Sequence, residues 1–296
     1  MLEERPKAVV LLLCTAVLWS TGGLLIKWID WHPMAIASMR SAIAAAFLLL
    51  VLRRPRFTWS GVQIGGGIAY ACCMLGFVAA TKLTTAANAI LLVYTAPIYV
   101  ALWSAWFLQE RVTTLDWVTI LLVLGGMGLF FLERLTVAGF WGNVCAIGGG
   151  MAFAWVVLCL RKQKGTSVLE TVVLGNLIAA LVGLPFMFHG LPSVSSCMAL
   201  VLSGTLQIGL AFILYAIAIR SVSALEAILI PMIEPLLNPL WVFLLLGETP
   251  SFWAVVGGII VVASVTVRGL LHASRLAAAS QPGAVRPPQQ PHVLPS

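Results

Sequence analysis

Residues 80–111 read ATKLTTAANAILLVYTAPIYVALWSAWFLQER, and residues 218–249 read AIRSVSALEAILIPMIEPLLNPLWVFLLLGET, which repeats the first stretch 138 residues later without a gap. Ten of the 32 aligned positions are identical, although some Ala and Leu identities are expected by chance in so apolar a chain. An internal duplication is indicated by the rarer identities, which keep their spacing. These are Pro97, Trp103 and Glu110, which recur as Pro235, Trp241 and Glu248.

The composition is that of a membrane protein. Of the 296 residues, 61% are hydrophobic and 9% are charged, and the mean hydropathy is +1.04, a balance that soluble domains do not have. A helix needs roughly 20 mainly apolar residues to cross about 30 Å of hydrocarbon, where its backbone finds no water. We therefore predict an all-α integral membrane protein with ten transmembrane helices. The predicted spans are 7–28, 33–52, 60–81, 85–108, 115–132, 138–160, 168–188, 196–219, 223–246 and 252–271.

The duplication divides the ten spans into two sets of five. Trp19 pairs with Trp155, and Trp117 with Trp253, at a separation of 136 residues. We predict a first repeat at 7–135 and a second at 136–271, preceded by a short cytoplasmic N-terminus at 1–6. The tail at 272–296 is rich in Pro, Ala and Gln, and we expect it to be disordered. Because five is an odd number, the second repeat enters the membrane from the opposite side, so the repeats are expected to be inverted.

The basic residues predict the orientation of the spans. Of the 17 Lys and Arg residues, Arg40 lies inside a span and Lys27, Lys82 and Arg134 lie at the far ends of odd-numbered spans. The remaining 13 lie on the other side or in the termini, which the positive-inside rule places in the cytoplasm. The formal charge of +7 is thus a topology signal, and we expect no nucleic-acid partner. The predicted location is the inner (plasma) membrane of a bacterium, with both termini cytoplasmic.

The ninth predicted span carries the most polar chemistry. Pro231, Pro235 and Pro239 lie four residues apart, and each lacks an amide hydrogen, so we expect this helix to be kinked or broken. Glu234 is the carboxylate placed deepest in a span, which makes it a candidate functional residue or a buried structural partner. Glu226 stands three residues after Ser223, the spacing of a capping box that closes a helix start.

Arg40 lies about seven residues into the second predicted span and should face protein or water. Its expected partner is either Glu234, as a gate or scaffold, or a substrate carboxylate held by the guanidinium. Aromatic and amide side chains supply the other elements of a ligand pocket, which are apolar walls and a few orienting polar groups. The candidate substrate-binding or gating residues are Arg40, Glu234, Asn238, Asn88, Tyr99, Trp103, Trp241, Gln207, Trp19 and Trp155.

These features resemble the drug/metabolite transporter superfamily and, within it, the EamA-like exporters. The resemblance covers about 7–271 and rests on a Pro-x5-Trp-x6-Glu ending in each repeat and on Glu234-Pro235 followed by Gly247-Glu248. The first repeat departs from the family pattern, because Gln109 stands where Gly is usual and Ala96 stands where an acid precedes the proline. The resemblance implies a central cavity that opens alternately to each side, and export of small metabolites.

We therefore expect a transporter of small organic metabolites. Amino acids or related amphipathic solutes are favoured, because Arg40 and Glu234 could complement a zwitterion. Transport would be passive or driven by proton exchange at Glu234, and no Walker-type loop indicates ATP use. The expected partners are the solute, the lipid bilayer and, in the coupled case, protons, while the oligomeric state is left open.

Two other classes of function were weighed. A membrane scaffold or receptor would need no transported ligand, and an intramembrane enzyme would need catalytic residues. The motifs H-E-x-x-H and G-x-S-x-G are absent, so we expect no enzyme. The six cysteines contain no CxxC pair, so we expect no metal site or cofactor.

Overall fold

The computed structural model describes residues 4–134, 139–188, 192–237 and 251–279, and within those ranges the chain forms helices and the turns that join them. Short 3-10 segments cover Leu132–Arg134, Leu184–Phe188 and Ile230–Ile233, and a π-helical segment covers Ser203–Leu210. The α-helices are α1 (Glu4–Ser20), α2 (Gly22–Lys27), α3 (Pro33–Leu52), α4 (Gly61–Leu83), α5 (Ala86–Val93), α6 (Ala96–Phe107), α7 (Thr114–Phe130), α8 (Phe140–Lys162), α9 (Val168–Gly183), α10 (Val194–Leu202), α11 (Ala211–Ala218), α12 (Ala224–Leu229) and α13 (Phe252–Ala279).

The described helices have the length and composition of an integral membrane protein. Seven stretches are long and apolar enough to cross a bilayer, and Thr114–Phe130 is a shorter apolar helix. The seven are Pro33–Leu52, Gly61–Ala80, Asn88–Phe107, Phe140–Lys162, Val168–Phe188, Val194–Ala218 and Phe252–His272. The predicted class, an all-α membrane protein, is confirmed for the part of the chain that the structure describes.

Several helices begin at a side-chain cap, which explains where they start. The hydroxyls of Ser60, Thr85 and Ser223 each accept a hydrogen bond from the amide three residues later, satisfying donors that have no intrahelical partner. At Ser223 the carboxylate of Glu226 accepts the Ser223 amide in return, at 3.1 Å. The predicted capping box is therefore confirmed.

Some predicted spans are interrupted in the structure. The first span breaks at Thr21 between α1 and α2, and the fourth breaks at Tyr94 and Thr95 between α5 and α6. The ninth changes to a 3-10 segment at 230–233, where Pro231 and Pro235 deny a helical partner to carbonyls one turn earlier. Residues 92–95 and 230–233 are 138 apart, so the fourth and ninth spans break at corresponding points of the repeat.

Hydroxyl side chains satisfy carbonyls next to two of these breaks. Thr21 Oγ1 donates to the Leu18 carbonyl at 2.7 Å, and Thr95 Oγ1 donates to the Leu92 carbonyl at 2.6 Å. In hydrocarbon such carbonyls would otherwise be costly. The interruptions are therefore built into the sequence and do not represent frayed helices.

The helix contacts follow the duplication. The third span packs against the sixth (α4 with α8), and the eighth packs against the first (α11 with α1), which are corresponding pairs. The contacts of α3 with α9 and of α7 with α13 join corresponding spans of the two halves. Gly126 and Gly257 meet in the last of these contacts, where a Cβ at either position would collide with the backbone carbonyl of the other. The glycines predicted to permit close packing thus do so at this crossing.

The boundaries of the spans differ from the predicted ones at two helices. The first span is two helices because of the break at Thr21, and the last helix continues to Ala279, eight residues beyond its predicted end at 271. The second half of the ninth span, with Asn238 and Trp241, lies outside the described residues.

The predicted orientation can be tested by labelling single cysteines. Gly165 is exposed and has open space around its Cβ position, so a Gly165→Cys chain without native cysteines should react only with reagent on the cytoplasmic side. Asp30→Cys, exposed in the connection between α2 and α3, should react from the other side. Gln163 is an unsuitable reporter because it is buried. Labelling of Gly165→Cys in intact cells by an impermeant reagent would contradict the orientation.

Candidate functional site

The interruptions bring polar side chains into the apolar interior. Arg40 lies on α3, Gln207 on the π-helical segment, Tyr94 in the break between α5 and α6, and Glu234 directly after the 3-10 segment. They form two hydrogen-bonded pairs, Arg40 with Gln207 and Tyr94 with Glu234. Each pair joins a residue of the first half of the chain to a residue of the second.

Arg40 is buried and donates from Nη2 to Oε1 of Gln207. Ser203 Oγ donates to the same oxygen at 3.3 Å. The Gln207 side chain lies so close to Gly22 that a Cβ there would be 2.7 Å from Nε2, so the first break and the π-helical segment meet at this amide. Arg40 Nε is buried and has no hydrogen-bond partner among the described residues. Buried donors are normally paired, so this atom marks a place where a further acceptor would be stabilising.

Tyr94 donates its phenolic hydrogen to Oε2 of Glu234. Both side chains are only partly exposed, and a hydrogen bond to a carboxylate is stronger than one between neutral groups. The bond connects the broken fourth span to the broken ninth span. Movement of one half of the chain relative to the other would therefore strain or break this contact.

The expected contact of Arg40 with Glu234 is not found within the described residues. The structure gives these side chains different partners, because the register of the π-helical segment brings Gln207 to the guanidinium first. The two pairs are nevertheless neighbours. Tyr70 on α4 lies within electrostatic range of Arg40, and Cys73, one turn later, lies within range of both Tyr70 and Tyr94.

Aromatic rings surround these polar groups in two clusters. Trp19 lies 5.4 Å from Phe212 and 5.6 Å from Tyr215 between ring centroids, and Tyr70 lies 5.2 Å from Phe212. Tyr215 Oη is buried without a hydrogen-bond partner in the described part of the chain. This first cluster thus borders Arg40 and offers a second unpaired polar atom.

The second aromatic cluster is formed by Tyr99, Trp103, Phe107 and Trp155. Trp103 stacks on Tyr99 at 5.6 Å and meets Trp155 edge-on at 5.9 Å, while Trp155 lies 4.9 Å from Phe107. These rings pack α6 against α8. Of the four candidate aromatics in the described residues, Trp19 thus lies in the cluster beside Arg40, and Tyr99, Trp103 and Trp155 lie in the other.

Asn88 lies at the start of α5, away from the Arg40 and Glu234 pairs in the hydrogen-bond network. Its Nδ2 donates to Thr84 Oγ1 at 3.2 Å and to Asn143 Oδ1 at 3.3 Å. Asn88 therefore joins the start of α5 to α8. The remaining candidates, Asn238 and Trp241, fall outside the described residues.

Two ionic clusters tie helix ends together at the end of the protein that is predicted to face the cytoplasm, which we call the basic end. In the first, Glu226 pairs with Arg5 at 2.5 Å and with Arg268 at 3.7 Å, and Arg268 pairs with Asp116 at 2.7 Å. These four side chains are almost fully buried and join α1, α7, α12 and α13. Sequence reasoning missed this cluster, because Arg5 and Glu226 are 221 residues apart.

The second ionic cluster centres on Glu110 and Arg161, whose Nε and Oε1 atoms are 2.7 Å apart. Oε2 of Glu110 accepts the Ala224 amide at the start of α12, at 2.8 Å. Arg161 also donates to the carbonyls of Ile219 and Arg220 after α11, at 2.7 and 3.1 Å. The repeated carboxylate of the first half thus holds together the ends of three helices from the second half.

Comparisons with known proteins agree with this architecture. The model of the EamA-like transporter family matches residues 6–132 and 140–268, in two copies that correspond to the two repeats. An uncharacterized transporter of Archaeoglobus fulgidus is 25% identical over 260 residues, which cover 86% of this chain and 93% of the relative. A solved structure whose description is "Crystal structure of protein" is similar with a TM-score of 0.79 and 21% identity, over 92% of this chain and 99% of that one. At that identity the likeness shows the fold alone.

The pairing of Arg40 can be measured with double-mutant cycles on thermal unfolding in detergent. Gln207→Ala removes the acceptor of a buried charged donor, which costs about 1–3 kcal/mol, and the loss should be much smaller in an Arg40→Ala background. The matched cycle of Arg40→Ala with Glu234→Ala should be close to additive, because the structure gives these side chains different partners. Additivity in the first cycle, or strong coupling in the second, would contradict the arrangement.

Proposed function

This chain belongs to the EamA-like transporter family, and on that premise we propose that it carries small organic metabolites across a membrane by alternating access. The working unit is ten spans arranged as two inverted five-helix repeats. The contacts support this arrangement, because corresponding spans of the two halves make corresponding contacts. Both repeats contribute to the polar groups at the interruptions, as a binding site between moving halves requires.

One observation carries the proposal furthest. A buried arginine, held by Gln207 across the two halves, leaves its Nε unpaired beside an aromatic cluster in which Tyr215 Oη is also unpaired, within the residues described. A purely structural core would be expected to pair both atoms. A solute with acceptor oxygens and an apolar body would pair them and pack against the rings.

The chemistry of these groups favours a carboxylate-bearing amphipathic solute, and amino acids most of all. The guanidinium suits a carboxylate, and Trp19, Phe212 and Tyr215 offer apolar surface to a side chain. Glu234, bonded to Tyr94, provides an acceptor for the ammonium group of a zwitterion. The direction we propose is export from a bacterial cytoplasm across the inner membrane, with both termini inside.

The basic end supplies one of the two gates that alternating access needs. Seven helices, α1, α6, α7, α8, α11, α12 and α13, are tied there by the two ionic clusters, so a solute cannot enter from this end until contacts in them break. Buried or partly buried ion pairs are costly to separate when one partner is left uncompensated. We therefore propose that loading from the cytoplasm begins with release of the Glu110 and Arg161 cluster, the more exposed of the two.

Counterflow in vesicles tests the proposed function directly. Purified protein in vesicles preloaded with an unlabelled amino acid should accumulate the labelled one transiently, and a screen over amino acids should find at least one that does. Arg40→Ala should reduce this exchange by at least about tenfold with the protein still inserted, since a charged hydrogen bond contributes about 1.5–3 kcal/mol. A scaffold or receptor would show no exchange, and an enzyme would release an altered solute.

The coupling to protons is tested by a substitution at Glu234. If this carboxyl carries a coupling proton, Glu234→Gln should abolish accumulation driven by a pH gradient and keep exchange at equal concentrations, because Gln retains the shape and can accept the Tyr94 hydroxyl. Tyr94→Phe is the matched control, since it removes the same hydrogen bond and leaves the carboxyl. Wild-type protein that ignores an imposed pH gradient would identify a passive carrier.

The proposed gate is tested through Cys159, which is buried two residues before Arg161. In a chain with Cys159 as its single cysteine, Glu110→Gln should raise the rate of labelling from the cytoplasmic side about fivefold, because loss of a partly exposed ion pair shifts the opening equilibrium by about 1 kcal/mol. Glu170→Gln is the matched control, since Glu170 lies at the start of α9 and accepts the Arg56 amide at 3.2 Å. Equal rates in all three proteins would exclude Glu110 from gating.

A further inference from the structure

A cavity of about 350 Å³ opens at the basic end, between the end of α6 and the end of α8. It lies where two candidate spans, Asn88–Phe107 and Phe140–Lys162, reach their last residues, and therefore at the height of lipid headgroups. Trp106 lines it and is 72% exposed. Tryptophan is enriched at this boundary because its ring combines an apolar face with a polar N–H.

The lining of the cavity is basic. Arg161, Lys162 and Lys164 contribute three positive charges, against the single carboxylate of Glu110. That carboxylate is already neutralised by Arg161 and bonded to the Ala224 amide. Lys162 Nζ donates to the Phe107 carbonyl at 2.8 Å and lies 4.2 Å from the centroid of the Phe107 ring, so the ammonium is held at the cavity wall with further N–H donors.

Gln109 adds a backbone feature that packing does not explain. It lines the cavity with a φ of +58°, a conformation that favours glycine, and the corresponding residue of the second repeat is Gly247. A side chain at this strained position places an amide beside the lysines. Strain of this kind is often retained where a side chain contributes to a site.

We propose that this cavity binds the headgroup of an anionic glycerophospholipid, with the phosphate on Lys162 and Lys164 and the acyl chains beside Trp106. Three observations favour a lipid over a soluble anion: the cavity lies at the end of two spans, an exposed tryptophan forms its edge, and its charges face the leaflet that carries anionic lipids. Basic cavities between helices at this leaflet are suited to such headgroups. The corresponding positions 25, 26 and 28 of the first repeat are Leu, Ile and Trp, so the site belongs to the basic end alone.

The site is independent of the transported solute. Arg161 nevertheless belongs both to the cavity and to the second ionic cluster, so a phosphate in the cavity would compete with Glu110 for its guanidinium. Lipid composition would then act on the proposed gate. The lipid site itself requires only binding, and a failure to find transport would leave it intact.

Native mass spectrometry of the full-length protein in detergent tests the site. Titration with phosphatidylglycerol should show one molecule that binds more tightly than phosphatidylcholine. The Lys162→Gln, Lys164→Gln double variant should weaken that binding by at least about tenfold, from roughly fivefold per basic side chain near an anionic headgroup. The matched control is the Arg53→Gln, Arg54→Gln variant, which removes two exposed charges at the end of α3, outside the cavity, and should change the tight binding less than twofold.

Other outcomes would overturn the site. Equal losses in the two double variants would mean a general effect of surface charge, and equal binding of the two lipids would mean no recognition of the anion. Displacement of phosphatidylglycerol by millimolar inorganic phosphate would assign the cavity to a soluble anion instead. Lys162 and Lys164 are both exposed, so the variant should remain folded, and Lys164→Gln alone should show about a fivefold loss if the double variant does not.

Discussion

The hydrogen-bonding requirement of the backbone in hydrocarbon determines most of this structure. A polar main-chain group that loses its helical partner there costs several kcal/mol unless another group replaces the partner. The chain nevertheless interrupts its spans at Thr21, at 94–95 and at 230–233. Hydroxyls of Thr21 and Thr95 bond to nearby carbonyls, which reduces the cost. Interruptions that are compensated in this way are expected where irregular backbone lines a site or allows motion, because straight helices would span the membrane more stably.

The polar side chains of the interior depend on the same interruptions. Gln207 reaches Arg40 from a π-helical segment, and π-helical turns often occur at functional positions because they displace side chains from the regular register. Tyr94 and Glu234 meet because their two spans break at corresponding points of the repeat. A guanidinium and a carboxyl that are each held by a neutral partner keep their capacity to bind a ligand. A direct ion pair between them would have satisfied both groups and reduced that capacity.

The sequence predicted the helices and the proline break well, because these depend on local composition. Apolar length defined the spans, and Pro231 with Pro235 placed the change at 230–233. It did not predict the π-helical segment, which contains no proline and forms where Gly204 and Gly209 allow close packing against α3. The partner of Arg40 followed from that segment and was therefore also missed. Tertiary packing decides such pairings, and a period of 3.6 residues contains no information about them.

The duplicated framework closes its two ends with different chemistry. A symmetric carrier would have equal free energies in its two openings when no gradient is present, and a bias requires contacts that are stronger in one state than in the other. The charges of the first ionic cluster have neutral residues at the repeat-related positions of the opposite end. With separations of 138 for the first and 136 for the others, Glu226 corresponds to Asn88, Asp116 to Phe252, Arg268 to Leu132 and Arg5 to Trp141. The ionic closure is therefore an addition made at one end after the fold was duplicated. It stabilises the state that is closed toward the cytoplasm, and a solute that enters from the cytoplasm must contribute binding free energy to open it.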